Sequence, residues 1–241
     1  IDQSYLNLVY HFKTKSSAND TEMQFEDDMV LLIGKKFTSF VSKNLHELDA
    51  KRDSIIQLYG MAISEQGWQG YEIKTDLKKK ELTVDNRIPF TKDVCRYKEP
   101  APQMKWRIEN SSDSVFGYKC QKATTEYCGR KYFVWFTSDI PISTGPWKFA
   151  GLPGIILKVT DTEHNFSFEC IELTQRPFPI VNYTWKNKNM SKTEWLKFEK
   201  NMYEHAGRFI AGTGARVIDD SEKGSHPISE QLSLFYNPME R

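Results

Sequence analysis

Runs of apolar residues with strand-like spacing dominate the first forty positions of the chain. Residues 5–12 mix aromatic and branched side chains and predict a first strand. The apolar run 29–33 ends at Gly34, and residues 36–42 continue with β-branched and aromatic side chains. Because Gly34 and Lys35 alone separate the two runs, the pattern predicts a β-hairpin.

Two segments have helical spacing. Apolar side chains recur every three or four residues over 44–66, although the charged stretch 51–53 leaves a mobile excursion as the alternative. Further along the chain, Ser191 and Glu194 form a capping box ahead of an apolar stripe, which predicts a helix that packs on a sheet. The stripe comprises Trp195, Phe198, Met202, Ala206 and Phe209.

The central part of the chain predicts mostly strands. Residues 71–75 and 81–84 flank a basic tip and predict a second hairpin. Further strands are predicted at 106–108, 114–127, 131–137, 155–160 and 165–173, with a polar turn at 109–113. Together these elements predict an α+β fold, β-rich, in which a curved antiparallel sheet packs against one or two helices. We expect one domain over residues 1–241, with an irregular segment at 211–241.

Charge and motif content narrow the classes of function. The 241 residues include 33 basic and 32 acidic side chains, so the net charge of +1 provides no field that would attract nucleic acid or an anionic membrane. No run of 18 apolar residues predicts a transmembrane segment. We find no nucleophile elbow, P-loop, zinc-protease motif or metal-binding histidine spacing. We therefore expect no cofactor, no metal and no catalytic residue, with an enzyme kept as an open alternative.

Glycine, proline and aromatic residues crowd into residues 145–155, GPWKFAGLPGI. Proline fixes φ and glycine permits positive φ, so the segment predicts a rigid loop held by its own aromatic side chains. A lip over a ligand groove is the functional alternative. The strand predicted at 131–137, before the loop, is apolar on both faces. One face packs on the core, and the other is covered by a helix or loop or lines a groove. The candidate binding residues are Trp135, Trp147, Phe149, Gly151, Leu152, Pro153 and Gly154.

The hexapeptide 151–156, GLPGII, resembles the signature of the GLPGLI family, with Ile155 in place of the second leucine. Segments similar to the same family lie at 29–40, 117–123, 129–130, 135–141 and 145–146. The resemblance covers most of residues 5–175. It implies an exported cell-envelope protein of Bacteroidetes-type bacteria and carries over no enzymatic role. The half-barrel of periplasmic lipoprotein carriers is the suggested analogue of the sheet.

The four cysteines, Cys95, Cys120, Cys128 and Cys170, form no CxxC pair. Free buried thiols and disulfides are both compatible with an even number of cysteines. The chain begins at Ile1 rather than Met, as a cleaved secretory signal or a shortened clone would each produce. Because the resemblance implies export to an oxidising compartment, we expect at least one disulfide, with Cys95 and Cys120 as the first choice.

Three functions follow as hypotheses. The first is a non-enzymatic binding protein of the periplasm or cell envelope that holds a hydrophobic ligand or a partner protein. The second is a structural or assembly component of the envelope, and the third is an envelope hydrolase. An apolar cavity without converging catalytic groups favours the first. An exposed apolar patch or unpaired strand edge favours the second, and a nucleophile, a base and oxyanion donors in one pocket favour the third.

Overall fold

The computed structural model describes residues 2–15, 19–23, 25–51, 70–91, 93–182, 187–214, 217–219, 224–226 and 229–240. The strands are β1 (Asp2–Thr14), β2 (Phe25–Gly34), β3 (Phe37–Ser42), β4 (Tyr71–Asp76), β5 (Glu81–Arg87), β6 (Val94–Pro100), β7 (Arg107–Val115), β8 (Tyr118–Tyr127), β9 (Arg130–Thr137), β10 (Ile155–Asp161), β11 (Phe166–Thr174), β12 (Pro179–Ile180), β13 (Asn187–Asn189), β14 (Val217–Asp219) and β15 (Gly224–His226). The helices are α1 (Lys43–Lys51), α2 (Lys192–Glu204) and α3 (Ala206–Gly212).

Thirteen of the described strands form one open sheet with β1 near its middle. The order is β13-β6-β5-β4-β3-β2-β1-β11-β10-β9-β8-β7, and β12 pairs with the start of β1. The pairings are antiparallel apart from β13, which runs parallel to β6. The first strand of the chain is thus hydrogen-bonded to β2 on one side and to β11, far along the chain, on the other.

The sheet is strongly curved. Nine strand spacings separate β6 from β8, which is about 43 Å on a flat sheet. A single loop nevertheless contacts both strands, because Lys148 Nζ lies 3.3 Å from Tyr97 Oη on β6 while the neighbouring Trp147 ring lies 5.7 Å from the Tyr127 ring on β8. The strands therefore bend around this loop, which confirms the predicted curved, mostly antiparallel sheet, and the two described ends of the sheet do not close into a barrel.

Alternating side chains give the sheet two apolar faces. The concave face carries the main core, where Tyr10, Met29 and Phe168 are fully buried. On the opposite face, a smaller cluster of β1–β3 residues packs against Leu45 of α1. The other long helix, α2, contributes Trp195 to the main core, so the two helices cover opposite faces.

The regular hairpins and the α2 cap are confirmed. The hairpin predicted over 29–42 is β2–β3, and the one predicted over 71–84 is β4–β5. At α2, Ser191 Oγ accepts a hydrogen bond from the Glu194 backbone N–H while the Ser191 N–H donates to the Glu194 carboxylate. The helix predicted over 44–66 begins as α1, and residues 52–69 lie outside the described residues.

Three element predictions differ from the structure. The polar stretch predicted as a turn at 109–113 belongs to the edge strand β7, whose residues are mostly exposed and therefore carry no alternating apolar signal. The chain turns instead at Phe116-Gly117, both with positive φ, which divides the strand predicted over 114–127. The stripe that starts at Trp195 is shared by α2 and α3, because the helix breaks at His205.

Two further regions also differ from the sequence predictions. No strand was predicted where β6 lies, and residues 211–241 were predicted to be irregular. Basic and acidic residues interrupt the apolar pattern of β6, where the buried Val94, Cys95 and Tyr97 are interspersed with Arg96 and Lys98. In the C-terminal segment, β14 and β15 form a two-stranded ribbon, and the described residues 229–240 contain neither helix nor strand.

The expected disulfide between Cys95 and Cys120 is not formed, and all four cysteines are free thiols. The sheet order explains this result, since eight strands lie between β6, which carries Cys95, and β8, which carries Cys120. Both side chains are buried in the core from opposite arms of the curved sheet. A disulfide needs two Cα atoms within about 7 Å, and this topology does not provide that approach.

Candidate functional site

A cavity of about 430 Å³ opens between the concave face of the sheet, helix α2 and the C-terminal segment 229–240. Its walls are mainly aromatic and aliphatic. The sheet contributes Phe12, Phe25, Tyr71, Ile73, Val84, Tyr97 and Phe166, the helix contributes Trp195, Leu196 and Tyr203, and the C-terminal segment contributes Leu234, Phe235, Tyr236 and Met239. Polar and charged side chains complete the lining: Thr14, Lys15, Asn86, Lys148, Glu199, Asn237 and Glu240. A cavity of this size with a mainly apolar wall has the character of a small-molecule site.

The glycine- and proline-rich loop forms one end of this cavity and is held by ring contacts. The Phe149 ring lies 4.9 Å from that of Tyr132 and 5.3 Å from that of Trp147. Trp106, which directly precedes β7, donates a hydrogen bond from Nε1 to Ala150 O at 2.8 Å. Trp147 has a φ of 53°, an uncommon conformation for a non-glycine residue that this packing maintains. Aromatic side chains of the loop thus pack against one another and against Tyr132, as the sequence predicts.

Of the seven candidate residues, Trp147 lines the cavity. Phe149 and Leu152 lie in the closed core, 1% and 2% exposed. Tyr132 of β9 faces the core, and Trp135 lies on the opposite face of the same strand. The structure thus places most of the candidate residues beneath or beside the cavity rather than in its wall.

The remaining three candidate residues have backbone roles. Gly151 has a φ of 100°, a conformation that side-chain-bearing residues rarely adopt. Gly154 has no such φ, but a Cβ there would lie 2.0 Å from Thr137 O, so the glycine permits close contact between two backbones. Pro153, between them, is exposed.

A buried cluster of charges adjoins the same end of the cavity. Lys148, 2% exposed, forms ion pairs with Glu99 of β6 and with Glu240 of the C-terminal segment. Lys192, at the start of α2, bonds to the same two carboxylates, with Nζ 2.8 Å from Glu99 Oε2. Burial alone would raise the pKa of Glu99, but the charges and hydrogen bonds of the two lysines hold it below its ordinary value. The four groups therefore neutralise one another.

Three polar side chains enter the cavity without such compensation. Tyr71 Oη and Asn86 Nδ2, on neighbouring strands and directly opposite in register, are buried and have no hydrogen-bond partner among the described residues. Glu199 on α2 accepts a hydrogen bond from Tyr236 Oη at 3.1 Å, and the described residues provide it with no ion pair. Burial of Glu199 raises the pKa of its carboxyl to about 7.

Side chains from the sheet fasten the C-terminal segment over the cavity. Arg130, 4% exposed, donates from Nε and Nη2 to Pro238 O at 3.1 and 3.0 Å, and Tyr132 Oη donates to Met239 O at 2.9 Å. The guanidinium is itself held by the buried Asp161, 3.4 Å from Nη1. The roof of the cavity is therefore tied to β9 as well as to α2.

Sequence reasoning missed Lys148, Glu240 and Glu199. Lys148 interrupts the apolar series Trp-Lys-Phe in the loop, and a lysine confined there needs buried acidic partners, which is a readable signal. Glu199 lies four residues after Trp195 and four before Tyr203, so the helix period places the three side chains on one face. For Glu240, no comparable pattern in the sequence indicates burial.

Two kinds of feature are not found in the part of the chain that the structure describes. No group of three or more His, Cys, Asp or Glu side chains is arranged to hold a metal ion. No described helix combines the length and the apolar character needed to cross a membrane.

Comparisons with known proteins give a family match and a fold match. Residues 129–158, which include the glycine- and proline-rich loop, match the model of a family described as "Protein of unknown function (Porph_ging)". This short match is compatible with the resemblance to the GLPGLI family. No curated protein matches the chain.

Among solved structures, two crystal forms of PNGF-II are similar in fold. The form in space group P21 is 11% identical in sequence with a TM-score of 0.54, and the form in C2 is 10% identical with a TM-score of 0.55. Each comparison covers 82% of this chain but only 33% and 32% of the PNGF-II chain. The chain thus spans about a third of the length of these structures, and the similarity concerns the fold alone.

Proposed function

We propose that this protein is a non-enzymatic binding module that holds a hydrophobic small molecule in the cavity beneath α2 and the C-terminal segment. The observation that carries the proposal is the cavity itself, about 430 Å³ and lined mainly by aromatic and aliphatic side chains. Burying about 200 Å² of apolar ligand surface in such a site contributes roughly 5 kcal/mol before association costs. The unpartnered Tyr71 hydroxyl and Asn86 amide supply the few polar contacts that orient a ligand.

The chemistry of the cavity wall favours binding over hydrolysis. Its described lining contains no serine, cysteine or histidine, the residues that most often serve as nucleophile and base. The basic and acidic groups at one end, Lys148, Glu99, Glu240 and Lys192, are engaged in ion pairs with one another. They therefore stabilise the closed arrangement of loop, strand and C-terminal segment.

We propose that this module acts in the cell envelope. The support is the resemblance of the loop and its neighbouring segments to the GLPGLI family, which implies export. The family-model match over residues 129–158 contains the same loop. Fractionation of cells that express the natural gene, followed by detection of this protein in the envelope or the cytoplasm, tests the location independently of ligand binding.

A neutral fluorescent dye provides the test of binding. N-phenyl-1-naphthylamine brightens in apolar surroundings and accepts excitation energy from tryptophan, and both Trp147 and Trp195 line the cavity. We expect saturable binding of one dye per chain, with quenching of tryptophan emission. Failure of the wild-type protein to bind dye in this way overturns the proposal.

A matched pair of variants locates the bound dye. Val84 faces the cavity, whereas Val41 packs on the opposite face of the sheet, and each is 3% exposed. Val84→Phe fills the cavity and should weaken dye binding by about tenfold or more, whereas Val41→Phe adds the same side chain elsewhere and should leave binding unchanged. Equal binding by the two variants would place the dye outside the cavity.

A further inference from the structure

One side of the cavity combines a carboxylate with a set of aromatic rings. Trp195, Glu199 and Tyr203 are spaced by four residues along α2, and all three line the cavity. The ring of Tyr236, from the C-terminal segment, lies 5.6 Å from that of Tyr203, and its hydroxyl donates to Glu199. The carboxylate therefore faces the cavity from among aromatic rings on two elements.

The charge of this carboxylate is not balanced locally. The ion cluster contains two acidic groups, Glu240 in the cavity wall and Glu99 beside the cavity. Each of them is paired with both Lys148 and Lys192. Glu199 has only the neutral Tyr236 hydroxyl as a described hydrogen-bond partner. A cation entering the cavity would supply the missing charge and would contact the electron-rich faces of the surrounding rings.

The sheet side of the cavity is polar at the matching position. Tyr71 and Asn86 are opposite one another in register on β4 and β5, and Asn86 is 7% exposed with its amide nitrogen unpartnered in the described structure. Burial is the main cause that raises the Tyr71 pKa above its ordinary value, and Asp27, Tyr97 and Glu199 add smaller contributions in that order. A polar headgroup between sheet and helix would meet Glu199 on one side and Tyr71 and Asn86 on the other.

We infer that the cavity takes an organic ammonium ion with an apolar body, its charged nitrogen lying against Glu199 among Trp195, Tyr203 and Tyr236. This inference rests on the proposed function and specifies its ligand class. The apolar body lies along Ile73 and Val84 on the sheet. Asn86 and Tyr71 hydrogen-bond to an oxygen of the ligand close to its nitrogen.

Protonation of Glu199 controls this binding. The groups that face Glu199 are Tyr236 and Glu240 on the C-terminal segment, Lys148 on the loop, Tyr203 on its own helix, and Tyr71 and Tyr97 on the sheet. Burial and Glu240 raise the Glu199 pKa, while Tyr236 and Lys148 lower it, with a result of about 7. The ammonium ion should therefore bind more tightly on the alkaline side of this value and weaken as the carboxyl is protonated.

Three probes with the same ten-carbon chain test the inference: decyltrimethylammonium, decanol and decanoate. Displacement of N-phenyl-1-naphthylamine, measured below micelle-forming concentrations at about pH 8, gives their relative affinities. We expect the ammonium probe to bind about tenfold more tightly than the alcohol and the carboxylate, because it gains both the ion pair and the ring contacts. At about pH 5.5 this preference should largely disappear.

Glu199→Gln removes the charge but keeps an oxygen that can accept from Tyr236. This variant should lose the preference for the ammonium probe and retain decanol binding within about twofold. Glu204→Gln alters an exposed residue on the same helix, paired with Lys200, and should keep the preference.

Equal affinity of wild-type protein for all three probes, or an undiminished preference in Glu199→Gln, overturns the ammonium inference while leaving hydrophobic binding in place. Absence of binding by the dye and all three probes overturns the proposed function itself.

Discussion

Lys148 and Glu240 form a buried ion pair although 92 positions separate them in the chain. Lys148 lies within the glycine- and proline-rich loop, and Glu240 lies near the end of the described C-terminal segment. The pair joins the base of the cavity to its roof. Because Lys148 also bonds to Glu99 on β6, this single ammonium group holds three otherwise separate parts of the fold.

Replacing Lys148 with methionine should destabilise the protein by about 3–5 kcal/mol, because Glu99 and Glu240 would lose a buried partner and retain their charges. Urea denaturation provides the measurement. The control is Lys98→Met, which removes an exposed lysine paired with the half-buried Glu81 and should change stability by less than about 1 kcal/mol. Equal stability of the two variants would show that the buried cluster contributes no more than a surface pair.

The raised pKa of Glu199 should appear in the dependence of stability on pH. Its carboxyl has an ordinary value of 4.5 and a value of about 7 in the folded protein, so the folded state holds a proton that the unfolded state releases between these two values. The stability that the neutral carboxyl of Glu199 contributes is fully present below about pH 4.5 and is lost as the pH rises through about 7.

The side chain introduced by Glu199→Gln has no proton to release in this pH range, so the variant does not lose this stability as the pH rises. Relative to the wild type, the variant should therefore gain up to about 3 kcal/mol between about pH 4.5 and pH 8, since each unit of pKa difference corresponds to about 1.4 kcal/mol. Denaturation of both proteins at these two pH values gives the difference directly, and pH effects of all other groups cancel in the comparison. A constant difference across this range would mean that the carboxyl titrates normally.

The close backbone contact at Gly154 can be tested by mutation. Gly154→Ala should cost about 2 kcal/mol or more, because the new Cβ would overlap the Thr137 backbone and neither backbone can move without disturbing the β9–β10 pairing. Gly212→Ala, at the end of α3 where a Cβ meets open space, should be neutral or slightly stabilising. Thermal denaturation of both variants checks this, and a Gly154→Ala protein as stable as wild type would contradict the close backbone contact.

Thiol reactivity should distinguish Cys128 from the other cysteines. Cys128 is partly buried at the β8–β9 turn, whereas Cys95, Cys120 and Cys170 are buried, and burial raises the Cys170 pKa to about 12. We expect Ellman's reagent to modify Cys128 first in the folded protein and to detect four thiols after denaturation without reductant. Fewer than four thiols in the denatured protein would indicate a disulfide and would contradict the free thiols of the structure.

The sequence predicted the strands that have a continuous apolar run, such as β2 and β10, or a regular alternation, such as β11. The β2–β3 and β10–β11 hairpins have apolar positions on a buried face, and their short connections fix the pairing. Only the start of the edge strand β7 was predicted as a strand of its own, and its centre at 109–113 was taken for a turn, because exposure on both faces removes the periodic signal. The expected disulfide failed for another reason, since proximity of Cys95 and Cys120 depends on the order of strands in the sheet, which local patterns do not determine.

The candidate site was predictable only where a local pattern marked it. The loop around Trp147 attracted attention because glycine, proline and aromatic residues seldom occur together without a structural requirement. The cavity, however, arises where β6, α2 and the C-terminal segment meet, and Glu99, Lys192 and Glu240 come together from three distant parts of the chain. The order of the strands and the path of the chain bring these three side chains together, so their proximity is visible only in the folded structure.

The central position of β1 has a consequence for the time course of folding. Asn7 hydrogen-bonds to the backbone of Thr174, 167 residues away, and β1 pairs with β11 over most of its length. A ribosome adding about 5–20 residues per second needs roughly 8–33 s to make the chain between these partners. During that interval the β2–β3 hairpin can form beside β1, but the opposite edge of β1 stays unpaired and open to association with other nascent chains. Any holding chaperone that protects this protein during synthesis should therefore act on β1 until β11 has emerged.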